Sequence, residues 1–175
     1  MERADLSNIT REERLSNWIE LYSDAILRTC FLYLSDRTQA EDALQDTWIK
    51  AWRHMGEYER KRVINDKAWL MRIAINTCKD YRRSSWFRHI DHRKALDELP
   101  GQFLQVNAEE DSLSLMVMEL PDKYKQVVLL YYFQGLTQKE TAQALGLSSS
   151  AVVRRLKAAH VLLKQFLVGG DGFEK

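Results

Sequence analysis

Apolar side chains recur along this chain with a helical period. Leu15, Trp18, Ile19, Tyr22, Ile26, Cys30, Phe31 and Leu34 fall three or four apart, and so do Ala43, Leu44, Thr47, Trp48, Ala51, Trp52 and Met55. A third series runs through Trp69, Leu70, Ile73, Ala74, Thr77 and Tyr81. This spacing puts one apolar stripe on each of three amphipathic helices. Thr10–Glu13, Thr38–Glu41 and Thr137–Glu140 each read Thr-x-x-Glu. In such a box the hydroxyl and the carboxylate satisfy backbone N–H groups orphaned at a helix start, so the three boxes predict three helix origins. Gly56 is the expected stop of the second helix and Asn65 or Asp66 the start of the third. Tyr58 to Ile64 is charged enough to read as a connecting loop.

Beyond about His92 the period lapses. Residues 93–114 contain Pro100-Gly101 and sustain no stripe, which predicts a flexible linker. Its Leu96, Leu99, Phe103, Leu104 and Val106 fit docking on a partner and weak local packing equally well. Order returns with Pro121, tolerated near a helix start because its missing N–H would be unpaired there anyway. That helix continues through Tyr124, Val127, Val128, Leu130 and Tyr131 to Gly135. A short capped helix from Thr137, a break at Gly146, and a last helix from Ser148 or Ser149 through Phe166 complete a helix-turn-helix pattern. Ala142, Leu145, Leu147, Val152 and Leu156 are expected to lock its two helices, leaving Ser149, Ser150, Arg154 and Lys157 outward. The fold expected is all-α: two small helical domains, 1–92 and 115–175, joined by the 93–114 linker.

Composition agrees and narrows the chemistry. Seven Gly and two Pro in 175 residues are few for a turn-rich β architecture. No apolar run approaches the roughly 20 residues of a membrane span, and the charged Met1–Asp5 start is no signal peptide, so a cytoplasmic protein without membrane insertion is expected. Cys30 and Cys78 sit in apolar-periodic segments and read as buried free thiols. His54, His89, His92 and His160 lack metal-ligand spacing, and neither a catalytic constellation nor a cofactor motif is evident. Net charge is only +1, but its distribution is uneven. Residues 57–94 hold eleven Lys or Arg against five Asp or Glu, residues 95–122 seven acids and no base, and residues 123–168 seven bases against Glu140. Two basic blocks around an acidic one fit two polyanion-binding surfaces, and fit ordinary solvated faces about as well.

Two longer stretches carry a resemblance. Asp42 through Trp52 (DALQDTWIKAW), followed by Trp69 through Arg83 (WLMRIAINTCKDYRR), resembles region 2 of the extracytoplasmic-function (group 4) sigma factors of bacterial RNA polymerase, in the sigma-70 family. Leu120 through Tyr124, then Gly135 through Glu140 and on to Leu163, resembles their region 4. The likeness covers about residues 14–167 and keeps both blocks in order, which is far more specific than a lone helix-turn-helix.

The resemblance implies roles. Asp42, Gln45, Asp46 and Lys50 would dock on core RNA polymerase. Asn76, with the loop around Glu57–Lys67, would hold a base flipped from the melted −10 strand, since an amide offers a base edge both a donor and an acceptor. Lys79, Asp80, Arg82 and Arg83 would follow that strand. Thr137, Gln138, Ser149, Ser150, Arg154, Arg155 and Lys157 would meet the −35 duplex. The acidic linker would set the reach between the halves and run near the polymerase channel. An anti-sigma factor, often membrane-anchored in the family, is the implied regulator. Trp48, Trp52 and Trp69 are expected in the core rather than as a base-stacking platform.

The chain also departs from the family pattern. Val153, Ala158 and His160 stand where bases are usual, and Arg60-Lys61-Arg62-Val63-Ile64 is more basic than typical, so promoter preference does not transfer. Two other classes stay open at this level. One is a helix-turn-helix regulator acting without polymerase; the other is an enzyme or helical scaffold that carries the motif incidentally.

Overall fold

The computed structural model describes residues 9–61, 63, 65–83 and 108–169, and all elements among them are helical. The first three are α1 (Arg11–Leu34), α2 (Arg37–Arg60) and α3 (Asp66–Arg83). Then come α4 (Ala108–Glu119) and α5 (Asp122–Val128), which continues into a π-type turn over Leu129–Phe133. Finally α6 (Gln138–Leu145) and α7 (Ser149–Gly169) form the helix-turn-helix.

Local chemistry sets most boundaries. Thr10 and Thr137 form their capping boxes in full with Glu13 and Glu140. The box expected at Thr38 does not form. Asp36 caps α2 instead, its carboxylate accepting from the Gln39 N–H at 2.8 Å, so Thr38 lies inside the first turn. An acceptor two residues beyond the end of α1 allows a tighter turn than Thr38 would. Ser35 makes that turn in the left-handed region (φ 57°), its N–H donating to Phe31 O at 2.7 Å. The two long helices therefore reverse direction across Ser35 and Asp36 alone.

Gly56 does not stop α2, which runs on to Arg60. The residue that holds this last turn is Tyr58, assigned to a loop from its charged neighbours but 5% exposed in the core. Its ring lies 4.9 Å from both Trp18 and Trp69, in edge-on arrangements that suit the aromatic quadrupole. Tyr58 OH and Trp18 Nε1 both donate to Asp66, the latter at 2.9 Å. One carboxylate at the start of α3 thus ties the end of α2 and the first half of α1 to it. Trp69 is in this cluster and Trp48 is half-buried, but Trp52 is 41% exposed, a correction to its expected place in the core.

The tether ends sooner than its composition suggested, because residues 108–114 already belong to α4, whose Val117 and Met118 are buried. His89, His92 and the tether up to 107 lie outside the described residues. Cys30 and Cys78 are buried free thiols, and burial pushes the Cys78 thiol up, with Cys30 beside it adding to the shift. Among the described residues no helix is long and apolar enough to cross a membrane, and no cluster of metal-ligating side chains occurs.

The last six residues of α1 are buried all round: Thr29, Cys30, Phe31, Leu32, Tyr33 and Leu34 are each at most 2% exposed. A helix packed on one side shows one apolar stripe, and a helix apolar on every side must be covered on every side. Here α2 and α3 cover one side, while α4, α5 and the π-type turn cover the other. A continuous core therefore runs through both halves of the chain.

Candidate nucleic-acid and polymerase interfaces

On α2, the four residues expected to dock on polymerase split into two pairs. Asp42 and Gln45 are exposed. Asp46 accepts from the Tyr81 hydroxyl at 2.9 Å, and Lys50 donates to Thr77 Oγ1 at 3.1 Å and to Asp80 at 3.2 Å. The second pair therefore binds α2 to α3, while the first is free to meet a partner. Ile49 and Trp52, 48% and 41% exposed, continue the outward face and give it an apolar centre. Composition hid this pair, because the stripe that buries Ala43, Thr47 and Ala51 runs directly beside it.

On α3, Asn76 is exposed in the third turn, about 15 Å of helix rise from Asp66. Lys79 is partly buried, and its ammonium is pulled below the ordinary lysine range by burial first, then by Arg155 and Arg83. Arg82 pairs with Asp122 at 3.4 Å and reaches Tyr33 O at 3.4 Å. Arg83 is 80% exposed along its side chain and lies 3.8 Å from Asp80. These side chains share one helix, but each meets a different neighbour.

The helix-turn-helix is built as its sequence suggests. Gly146 takes φ 66°, a conformation that favours glycine, and donates to Ala142 O, while the Leu147 N–H reaches the same carbonyl at 2.8 Å. Ser148 then caps α7 by accepting from the Ala151 N–H at 3.2 Å. Ala142, Val152 and Leu156 are buried between the two helices. Ser149, Ser150, Arg154 and Lys157 are exposed, as is Gln138, while Arg155 is half-buried toward Lys79. Thr137 is occupied by its capping box. His160 bonds to the Tyr132 hydroxyl at 2.6 Å, a surface contact between α7 and the π-type turn.

Several polar side chains between the halves were not singled out from sequence. Gln134, 6% exposed, donates its amide to Thr29 Oγ1 at 2.8 Å and to Ala25 O at 3.1 Å. Lys67 donates to Gln134 O at 2.7 Å, and Asn65 to Glu140 at 2.6 Å. Lys125, 1% exposed, lies 5.9 Å from the centre of the Tyr33 ring. Burial pulls its ammonium down to about 8, with Arg82 acting the same way and Asp122 and Glu119 opposing. A usable signal existed: Lys125 and Gln134 are polar residues within the apolar run Tyr124–Leu136.

Residues 18–88 match the Sigma-70 region 2 family and residues 110–160 the Sigma-70 region 4 family. The ECF RNA polymerase sigma factor SigL of Mycobacterium tuberculosis is 31% identical over 131 residues, 71% of this chain and 72% of that protein. SigM of Bacillus subtilis, another ECF RNA polymerase sigma factor, is 28% identical over 139 residues, 75% and 81% of the two chains. In overall fold the chain is similar to the sigma factor RpoE solved with the anti-sigma factor NepR from Bartonella quintana. The TM-score is 0.69 at 21% identity, over 88% of this chain and 96% of that one. CnrH, solved with the cytosolic domain of CnrY, gives 0.67 at 23% identity over 91% and 90%. The chain belongs to the ECF RNA polymerase sigma factors, which bind core RNA polymerase and direct it to promoters through −10 and −35 elements.

Proposed function

We propose that this sigma factor divides its work between the exposed row on α2 and the exposed row on α7. Asp42 and Gln45, flanking Ile49 and Trp52, dock on the polymerase. Asn76 captures a −10 base, and Lys79, Arg82 and Arg83 guide the melted strand. Ser149, Ser150, Arg154 and Lys157, with Gln138, meet the −35 duplex, where Arg and Lys donate to guanine edges or phosphates. Asp46, Lys50, Asp80 and Thr137 support these surfaces from behind, each being engaged within the chain. The work is binding rather than catalysis, and it takes place in the cytoplasm. Control by an anti-sigma factor follows from the partners named with the fold neighbours.

The observation that carries this reading is the outward row Ser149, Ser150, Arg154 and Lys157 on the second helix of a capped helix-turn-helix, in a chain matching both sigma regions. Run-off transcription with purified core polymerase over a randomised promoter library tests it. Initiation from a defined subset of sequences is expected. Core-dependent initiation that is absent or indifferent to sequence refutes it and favours a helix-turn-helix regulator that works without polymerase.

A further inference from the structure

His160 has no part in the roles given above, yet it stands on the DNA-facing row of α7. It follows Lys157 by three residues and Ser149 by eleven, close to three whole turns, so the three side chains share one face. All three are exposed. At about 1.5 Å of rise per residue, Lys157 lies about 12 Å along the helix from Ser149 and His160 about 16.5 Å. A recognition helix reads base edges with its N-terminal residues, in a major groove about 12 Å wide. A side chain beyond that width meets the wall of the groove, where the phosphates are. His160 does not stand there alone. Its Nε2 is 2.6 Å from the hydroxyl of Tyr132, itself 51% exposed, and the ring centroids are 5.5 Å apart.

We propose that His160 and Tyr132 form a proton-operated clamp on the duplex backbone beside the −35 element, gripping the promoter more firmly in mild acid. The inference rests on the proposed role of the α7 row. Its chemistry follows from counting protons. A neutral imidazole carries one N–H and the tyrosine one O–H, and their mutual hydrogen bond consumes one of the two. Whichever tautomer is present, the pair then offers a phosphate a single donor. A protonated imidazole carries two N–H groups. One is spent on the Tyr132 oxygen, so the other and the Tyr132 O–H both turn outward. One proton taken up therefore adds a positive charge and a second donor. Histidine is the side chain whose ordinary charge change falls between about pH 5 and 8. Partial burial, and then Tyr131, hold the Tyr132 hydroxyl above its ordinary value, so it keeps its proton across that range. Along α7 the imidazole is flanked by Lys157 and Lys164, and across from it stands Tyr132 with Tyr131 against its ring. The carboxylates of the helices packed on α7 are engaged elsewhere: Glu140 with Thr137 and Asn65, Asp122 with Arg82, and Glu119 near Lys125. A phosphate at this spot favours the charged imidazole, so proton uptake and duplex binding reinforce each other.

Holoenzyme assembled from the full chain and core polymerase tests the clamp, titrated with promoter duplex at about pH 6 and about pH 8 over a range of salt. Wild type is compared with His160→Gln and Tyr132→Phe at each pH, which cancels the response of polymerase itself. Both side chains are exposed, so neither change disturbs the core. The advantage of wild type over His160→Gln should be at least threefold larger in the acid series. The wild-type salt dependence should also steepen there by about 0.9 in log affinity per log salt, the mark of one further phosphate contact. Tyr132→Phe keeps the charge and loses the second donor, so it should keep the steeper slope with a smaller gain. An equal advantage over His160→Gln at both pH values overturns the clamp, and so does a Tyr132→Phe protein indistinguishable from wild type. A wild-type holoenzyme that binds duplexes with and without the −35 element alike, at both pH values, overturns instead the reading of α7 on which the clamp rests.

Discussion

Asn65 and Glu140 are 75 residues apart in sequence, and their side chains meet at 2.6 Å. Each already has a local duty. Asn65 Oδ1 accepts from the Ala68 N–H at 2.9 Å, capping α3, and Glu140 completes the capping box of α6. The amide uses its oxygen locally and its nitrogen at long range, and the carboxylate is shared in the same way. A helix start in one half is therefore clasped to a helix start in the other without an extra side chain.

This clasp and the buried lysine give the packing of the two halves a pH dependence of predictable sign. The Thr137 backbone N–H, the Thr137 hydroxyl and Asn65 hold the Glu140 carboxyl below its ordinary value. A depressed carboxyl contributes above its unperturbed value, and that contribution is lost as pH falls through the folded-state value. Lys125 acts at the other end. It faces Tyr33 on α1, Arg82 on α3, Glu119 on α4 and Asp122 on its own helix. Its pKa is about 8 when buried, against roughly 10.4 for an exposed lysine. The charged form opposes burial, so the packing of the two halves should tighten as pH rises from about 8 toward about 10.4. Urea melts across that range should show the rise in wild type and a smaller rise in Lys125→Met, because the Lys79 ammonium is also held below the ordinary lysine range. An equal rise in the variant would assign the effect to another group.

Asp66 should matter to stability more than its partial exposure suggests. Asp66→Ala leaves the indole N–H of Trp18 and the hydroxyl of Tyr58 without their acceptor, and both residues are buried. Hydrogen bonds to a charged group are worth about 1.5–3 kcal/mol each, and with Asp66 only half-buried the low end applies, so a loss of about 3 kcal/mol is expected. Tyr58→Phe, which removes one donor and leaves the carboxylate its other bond, should cost about 1.5 kcal/mol. Urea melts of both variants check the ranking. Equal stability in the two would remove Asp66 from its central position.

The polymerase face can be separated from its supports by comparing binding with stability. Asp42→Ala with Gln45→Ala should weaken binding to core polymerase at least tenfold while leaving stability within about 0.5 kcal/mol, as is usual for exposed sites. Asp46→Ala should instead lower stability, because it removes the acceptor through which the Tyr81 hydroxyl ties α3 to α2. Paired thermal melts and binding titrations distinguish the two behaviours, and an identical pattern for both variants would contradict the division.

Two substitutions address the DNA-facing rows. Asn76→Ala should slow promoter opening and leave core binding intact, read by permanganate footprinting beside a binding titration. Arg154→Ala should reduce duplex affinity by about 1–3 kcal/mol at fixed salt if it reads a base. Wild-type behaviour in either assay removes that residue from its surface.

Much of this was legible in the sequence because it is local. The capping boxes at Thr10 and Thr137, the glycine that turns α6 into α7, and the outward row on α7 depend on neighbours within a few residues. What escaped was tertiary. Gly56 reads as a helix stop by propensity, yet α2 continues because Tyr58 has an aromatic cluster to join and Asp66 to bond. Asp36 outcompetes Thr38 because it can cap within a tighter turn. Trp52 shares the apolar period but not the burial, since no described helix covers that face of α2. The contiguous run Cys30–Leu34 did carry a trace of the packing between the halves, because five neighbouring apolar residues cannot all face one partner.

The π-type turn at Leu129–Phe133 bears on all of this through register. The Gln134 N–H reaches back five residues to Leu129 O, at 3.0 Å, instead of the usual four. Each residue in a regular helix advances the side-chain direction by about 100°. Closing this turn with the ordinary four-residue bond, at the same chain length, would rotate the Gln134 side chain by about that angle off its acceptors, although the core side chains before it would not move. The fit between the two halves therefore depends on the register of one short segment as much as on its chemistry, as a key depends on where its teeth are cut.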